Sequence, residues 1–269
     1  MVRRARALLG TRVEISVLAE APHSRLHAAI DAAFAEMERI HQLMSCQDAQ
    51  SELSRLNRSA HREAMPVDGH TFTVLTRALQ FAQLSDGAFD PCVGGRLERL
   101  GLLPSLDAPT PPGARWSDIE LLDGQRVRFA RASRLDLSGI AKGYAVDLAV
   151  ECLQQRGIES VMVNAGGDLR VAGPNGFQIG LRDPRLPARI AHALHLRHCA
   201  LATSAAYPKV PSTLLDVRRD RPWRGCRSIS VRAAQCMDAD ALTKVVLFAP
   251  RPLAEAVLAS LDATAFAMA

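Results

Sequence analysis

Between Arg12 and Leu18 the apolar residues Val13, Ile15 and Val17 alternate with polar ones, the two-residue period of a strand with one buried face. The period then changes. Leu26, Ile30, Ala33, Phe34, Met37, Ile40 and Met44 fall on one stripe of a helix, with Ser24 placed to cap it. Residues 45–62 are mostly polar and predict a surface segment. A second helix fits 71–84 and ends near Asp86-Gly87. The proline-rich run 104–115 predicts a loop. Short strands at 119–122 and 126–129 flank an Asp123-Gly124 turn. A helix follows over 140–156, stopped by Gly157. Next come a strand at 160–163, a tight loop at 164–168, and strands near 169–172, 177–181 and 228–231. Helices over 239–248 and 252–260 complete the pattern. His192, His195 and His198 fall on a further strand, with 192 and 198 on one face and 195 on the other. Strands and helices intermix without regular βαβ alternation or internal repeat, which predicts an α+β, or irregular α/β, fold.

With 269 residues, 48% of them hydrophobic, the chain can bury a sizeable core in one large domain or two lobes. Aromatics are only 4%, so that core is built from Leu, Val, Ile and Ala. A net charge of +5 suits a polyanionic small molecule. The arginines are spread along the chain with no aromatic residues interleaved, which argues against a nucleic-acid partner. The six cysteines form no CxxC pair and no zinc spacing, so they read as free thiols of a reducing compartment. No apolar run reaches the length of a membrane span. The basic start Met1-Val2-Arg3-Arg4-Ala5-Arg6 is not followed by an apolar signal segment, because Glu14 interrupts it. The expected location is therefore cytoplasmic, or periplasmic if a leader has been removed.

Four stretches carry candidate chemistry. In Asp136-Leu137-Ser138-Gly139-Ile140-Ala141-Lys142 an acid, a hydroxyl and a glycine precede a helix whose first turn holds a lysine. Unpaired backbone N–H groups, the dipole and an ammonium together suit phosphate. A capped helix with Lys142 in solvent would look the same. Asn164-Ala165-Gly166-Gly167-Asp168 has the backbone freedom to pass a bulky ligand, or to make a β-turn. Gly87-Ala88-Phe89-Asp90-Pro91 holds Asp90 extended before a bend. Asp238-Ala239-Asp240-Ala241-Leu242-Thr243-Lys244 can hold a hard cation, or Asp240 and Lys244 can pair as i,i+4 neighbours.

The order and wording of these stretches resemble the ApbE flavin transferase family. Leu9-Gly10-Thr11 is similar to the family's opening Met-Gly-Thr, and Ser51–Asn57 to its Ser-x-x-Ser-x-x-Asn. Residues 87–94 match its Gly-Ala-Phe-Asp-Pro-x-Val-Gly segment. Residues 136–147 match Asp-Leu-Ser-Gly-Ile-Ala-Lys-Gly-Tyr-Ala-Val-Asp throughout, and 163–173 match Val-Asn-x-Gly-Gly-Asp-Leu-x-x-x-Gly. Ala202-Thr203-Ser204 and Ala239–Leu242 resemble two further family segments. The resemblance implies one ApbE-like domain over 1–269, with mixed sheets flanked by helices and two lobes around a flavin cleft. It also implies an FAD:protein FMN transferase that uses Mg²⁺, moves FMN to a threonine of an acceptor flavoprotein, and releases AMP. By position, Asn57, Ala88, Phe89, Asp90, Asp136 and Lys142 would contact FAD. Gly139, through its carbonyl, and Asp240 would hold the metal.

Two departures matter. Where the family has His-x-Ile-Asp-Pro-x-Thr-Gly, this chain has Thr213-Leu214-Leu215-Asp216-Val217-Arg218-Arg219-Asp220. Thr213 replaces the histidine that would take the nucleophile's proton, leaving Asp216 as the substitute catalytic base. Ala205 replaces the glycine after Thr203-Ser204. In the metal helix the family's threonine four residues after the aspartate becomes Lys244, whose ammonium would stand in the cation's place. The alternatives are an FAD-binding homologue that no longer transfers, acting as carrier or regulator, and a Mg²⁺-dependent FAD pyrophosphatase.

Overall fold

The computed structural model describes residues 1–105, 110–186, 188–206, 214–223 and 227–268. A hairpin of β1 (Val2–Leu8) and β2 (Thr11–Leu18) leads into the long helix α1 (His23–Met44). Helix α2 (Glu52–Ser59), strand β3 (Met65–Pro66), helix α3 (Gly69–Leu84) and the short helix α4 (Gly94–Arg99) follow. The hairpin β4 (Ile119–Leu122) and β5 (Arg126–Phe129) precedes helix α5 (Ala141–Gln155). Strands β6 (Ser160–Ala165), β7 (Asp168–Ala172), β8 (Phe177–Arg182), β9 (Ile190–Leu196) and β10 (Cys199–Ala206) run in succession. The chain then forms β11 (Leu215–Asp216), β12 (Arg221–Pro222), β13 (Arg227–Ala233), helices α6 (Cys236–Phe248) and α7 (Arg251–Ser260), and β14 (Thr264–Met268).

The central sheet has the order β1-β2-β6-β7-β10-β13-β14, and all of its ladders are antiparallel. Strand parity sends Val13, Ile15 and Val17 of β2, Val161 and Val163 of β6, and Ala200 and Ala202 of β10 to the same face. There they meet the apolar stripes of α1, α5 and α6: Ile30, Phe34 and Met37, then Val146, Val150 and Leu153, then Leu242 and Val245. Each of these side chains is fully buried, and each one larger than alanine contributes about 1.5–3 kcal/mol of transfer free energy. The opposite face carries a smaller cluster. Leu169, Val171 and Leu201 pack there under the β8–β9 hairpin with Ile179, Leu181 and Leu196. Among the described residues no helix is long and apolar enough to cross a membrane.

Several local expectations change. The polar stretch 45–62 contains α2, capped by the Ser51 hydroxyl, which accepts from the Ser54 N–H at 3.0 Å. Its two leucines, Leu53 and Leu56, lie three residues apart and are fully buried, which is enough to dock a short helix. The basic residues 2–8 form an edge strand. Its arginines bond outward, Arg3 to Glu14 and Arg4 and Arg6 to Asp31. Helix α1 begins after Pro22 with no side-chain cap, so Ser24 lies inside it. His192 and His195 are on β9, whereas His198 sits in the turn beyond it with φ 45° and shares no strand face with His192.

Candidate functional site

The segment before α5 is held from three sides. Asn57 accepts from the Leu135 N–H at 2.8 Å and donates to the Leu135 carbonyl at 3.0 Å. The Asp136 N–H donates to the Pro91 carbonyl at 2.8 Å, which joins the 87–94 segment to the 135–140 segment. The Asp136 carboxylate accepts from its own loop, from the Ser138 N–H at 2.9 Å and the Ser138 hydroxyl at 3.0 Å. These bonds fix the turn that delivers Gly139 and then Lys142 in the first turn of α5.

Two cavities meet at that turn. One, of about 310 Å³, is lined by Ala88, Phe89, Asp90, Thr203, Leu215 and Lys244, among others. The other, of about 360 Å³, lies between α1 and the 97–103 segment, with Met44, Cys46 and Leu103 on its wall. Both have Leu97, Asp136, Ser138 and Lys142 in their lining, so these residues form the neck between them. Each volume falls at the lower end of the range for small-molecule sites. A third cavity of about 510 Å³ lies on the other sheet face beneath the β8–β9 hairpin and borders the first at Thr203 and Ala205.

Beside Asp136, four charged side chains set the electrostatics of the neck. Lys142 pairs with Asp168, and with Asp240 at 3.6 Å. Asp240 is 1% exposed and also accepts from the Gly143 N–H at 3.3 Å. Lys244 pairs with the Asp240 carboxylate and donates to its main-chain carbonyl at 2.9 Å. Burial pushes the Lys142 ammonium below the ordinary lysine range, opposed by Asp240 and aided by Lys244. Burial acts to raise Asp240, but the two ammonium groups and the Gly143 N–H outweigh it and hold this carboxyl below its ordinary range. Asp90 is raised by burial, against the N–H of Cys92 that its carboxylate accepts at 2.8 Å.

The expected site residues therefore separate into groups. Ala88, Phe89, Asp90, Asp136, Gly139 and Lys142 converge on the first cavity. Asn57 lines none of the three cavities; its amide is spent on the Leu135 backbone. Asp240 lies beneath the floor. Asp216 is also absent from the lining. Leu214, Leu215 and Val217 line the cavity, while Asp216 is turned back onto the residues that follow it. Its carboxylate accepts from the Arg218 and Arg219 N–H groups, both at 3.1 Å. Thr213 lies outside the described residues.

The residue whose role the sequence left unassigned is Asp168. It is 2% exposed, pairs with Lys142, and accepts from the Thr203 N–H at 3.2 Å. The Gly-Gly-Asp run was its signal, since a tight β6–β7 turn between antiparallel strands sets that acid against the start of α5.

A divalent cation does not fit this donor set as folded. Both Asp240 oxygens already face cationic or N–H donors. Among the described residues no three His, Cys, Asp or Glu side chains cluster closely enough to share an ion. The neck can nonetheless hold an anion that spans two cavities, with the Lys142 ammonium at its middle.

The sequence profile of the ApbE family matches residues 9–268. The FAD:protein FMN transferase of Treponema pallidum (strain Nichols) is 29% identical, the match covering 89% of this chain and 76% of that protein. The one of Rhodobacter capsulatus is 34% identical over 68% of this chain and 39% of its own length. Among solved structures, the flavin transferase ApbE of Vibrio cholerae superposes with a TM-score of 0.84 at 26% identity, covering 98% of this chain and 92% of that one. The ApbE protein of Thermotoga maritima gives 0.85 at 28% identity, covering 98% and 93%. With the profile matched over nearly its whole length and the fold shared throughout, this chain belongs to the ApbE family.

Proposed function

We propose that the protein is a flavin transferase that takes FAD as substrate and moves its FMN half onto a threonine hydroxyl of an acceptor flavoprotein. The supporting observation is the neck: two cavities of ring-system size joined where Ser138 and Lys142 stand. A dinucleotide has that form, two ring systems bridged by two phosphates. In this reading 1–269 works as one unit, because the segments at 87–94, 135–142, 168, 203–205 and 240–244 build one site.

The reaction is a phosphoryl-centre displacement. The acceptor oxygen bonds to the FMN phosphorus, the bond from that phosphorus to the bridging oxygen breaks, and AMP leaves with the electron pair. Lys142 offsets the charge on the phosphates, and Asp168 and Asp240 hold its ammonium at the neck. Asn57 contributes by fixing the Leu135 backbone. Phe89, packed on Phe81 at 6.1 Å between ring centroids, gives an apolar wall for a ring. The hydroxyl's proton goes to a carboxylate of the cavity lining, Asp90 or Asp136; burial makes Asp90 more basic than an ordinary carboxyl. Mg²⁺ would supply charge neutralisation where a site can bind it, and no step here is routed through it.

The turned-away Asp216 favours a second reading, an FAD-binding homologue that no longer transfers. Incubation with FAD and a flavin-accepting domain, followed by intact mass, separates the two. A mass gain of one FMN on the acceptor supports transfer. Bound flavin without any gain supports the second reading, and AMP release without a gain supports hydrolysis.

A further inference from the structure

Two ammonium groups reach the neck. Lys142 comes from the first turn of α5, and Lys244 from the third turn of α6. Lys244 follows Asp240 by four residues, so both side chains project from one helix face. Its Nζ is bonded to the Asp240 carboxylate and to the Asp240 main-chain carbonyl, and its side chain is 15% exposed, at the cavity wall. On its other side the ammonium lies against Gly139. A Cβ built on that glycine would stand 3.3 Å from Cε and 3.8 Å from Nζ of Lys244. Gly139 and Asp240 are the two residues that the family resemblance would give to a divalent ion, and Lys244 fills the space between them. The neighbouring hydroxyl does not compensate. Thr243 Oγ1 donates to the Asp240 carbonyl at 2.7 Å and contacts Ser204 Oγ at 2.7 Å, and the residue is fully buried.

We infer that Lys244 is the site's built-in cation: its ammonium, tethered to Asp240 beside Gly139, takes the place of a divalent ion and binds the phosphates of the dinucleotide without metal. This rests on the flavin-site reading above and makes it more specific. The charge count changes with it. Lys142 and Lys244 face three carboxylates, Asp136, Asp168 and Asp240, a net charge of one negative, whereas a divalent ion in place of the ammonium would bring the sum to zero. An ammonium donates hydrogen bonds to phosphate oxygens but does not coordinate them in a fixed polyhedron. Binding is therefore expected to be metal-independent and more sensitive to salt than a metal-bridged site.

The test is titration of FAD into the whole protein, followed by flavin fluorescence, once with EDTA and once with excess Mg²⁺. For the unmodified chain the affinities agree within about twofold. Lys244→Thr, which restores the family's hydroxyl, loses about tenfold or more in EDTA and recovers with Mg²⁺. A second readout needs no variant: Mn²⁺ followed by electron paramagnetic resonance shows no FAD-dependent binding to the unmodified protein. Strict dependence of FAD binding on Mg²⁺, FAD-dependent capture of Mn²⁺, or unchanged EDTA affinity in Lys244→Thr would overturn the assignment while leaving the flavin site standing. Failure of the unmodified chain to bind FAD under any condition would remove the flavin reading together with this inference.

Discussion

Replacing Gly143 by alanine tests how the site is mounted on the fold. A Cβ at this position would lie 2.3 Å from the Cys236 carbonyl oxygen, 2.6 Å from its carbon and 2.8 Å from the Met237 Cα. All three are backbone atoms, so relief requires the start of α6 to withdraw from α5. The same start is anchored by Asp147, which accepts from the Cys236 N–H at 2.9 Å and the Met237 N–H at 2.8 Å. Withdrawal stretches both bonds. Overpacking costs about 1–3 kcal/mol. The loosened charged cap adds about 1–2 kcal/mol. Alanine's helix propensity returns about 1 kcal/mol. The net loss is about 1–4 kcal/mol. At about 2 cal/mol/K of unfolding entropy per residue, the melting temperature of a chain of this length falls by about 2–7 °C. Gly139→Ala is the control. Its added Cβ meets only side-chain atoms, Lys244 Cε at 3.3 Å and Phe89 Cε2 at 3.6 Å. Its stability stays within about 0.5 kcal/mol of the parent, while flavin binding weakens because the methyl group enters the cavity. Urea unfolding of the three proteins decides. A Gly143→Ala protein as stable as the parent, or a Gly139→Ala protein less stable than Gly143→Ala, would refute the packing argument.

Other consequences follow from single contacts. Burial raises the Asp147 pKa from 3.8 to about 6 against the pull of Arg170, so the folded state holds this proton more tightly than the unfolded one. The stability linked to Asp147 is therefore complete below about pH 4 and is lost as pH rises through about 6, in total about 3 kcal/mol. Urea midpoints measured from pH 4 to 7 should show a decline that Asp147→Asn flattens. An identical slope in both proteins would exclude Asp147 as its source. Asn57→Ala strands the buried Leu135 N–H and carbonyl and should cost about 2–4 kcal/mol by urea unfolding. Asp216→Ala should leave FAD affinity unchanged within about twofold, since the carboxylate faces Arg218 and Arg219 rather than the cavity; a tenfold loss by fluorescence titration would place it in the site.

Much of the architecture was legible where one period is long and uninterrupted. The stripe of α1 and the alternation of β2 give their elements directly, because each buries one continuous face. Strand β1 was hidden by its arginines, which are tolerated because it is a sheet edge with partners on α1 and β2. Helix α2 was hidden because its docking surface is only two leucines wide. In the site, residues near one another in sequence, such as 136–142, announced themselves as a unit. The role of Asn57 did not, since its partner Leu135 is 78 residues away. The orientation of Asp216 goes with the turn after β11, whose Arg218 and Arg219 N–H groups its carboxylate accepts, and composition does not convey that.

Flavin transfer by this chain requires the neck between the two cavities to grip a pyrophosphate. The most direct measurement is the affinity of the unmodified protein for FAD and for riboflavin, repeated with Lys142→Met. FAD should bind at least about a hundredfold more tightly than riboflavin, and the lysine variant should lose most of that difference. Equal affinity for the two flavins in the unmodified protein, or a preference for FAD that survives the loss of Lys142, would contradict it.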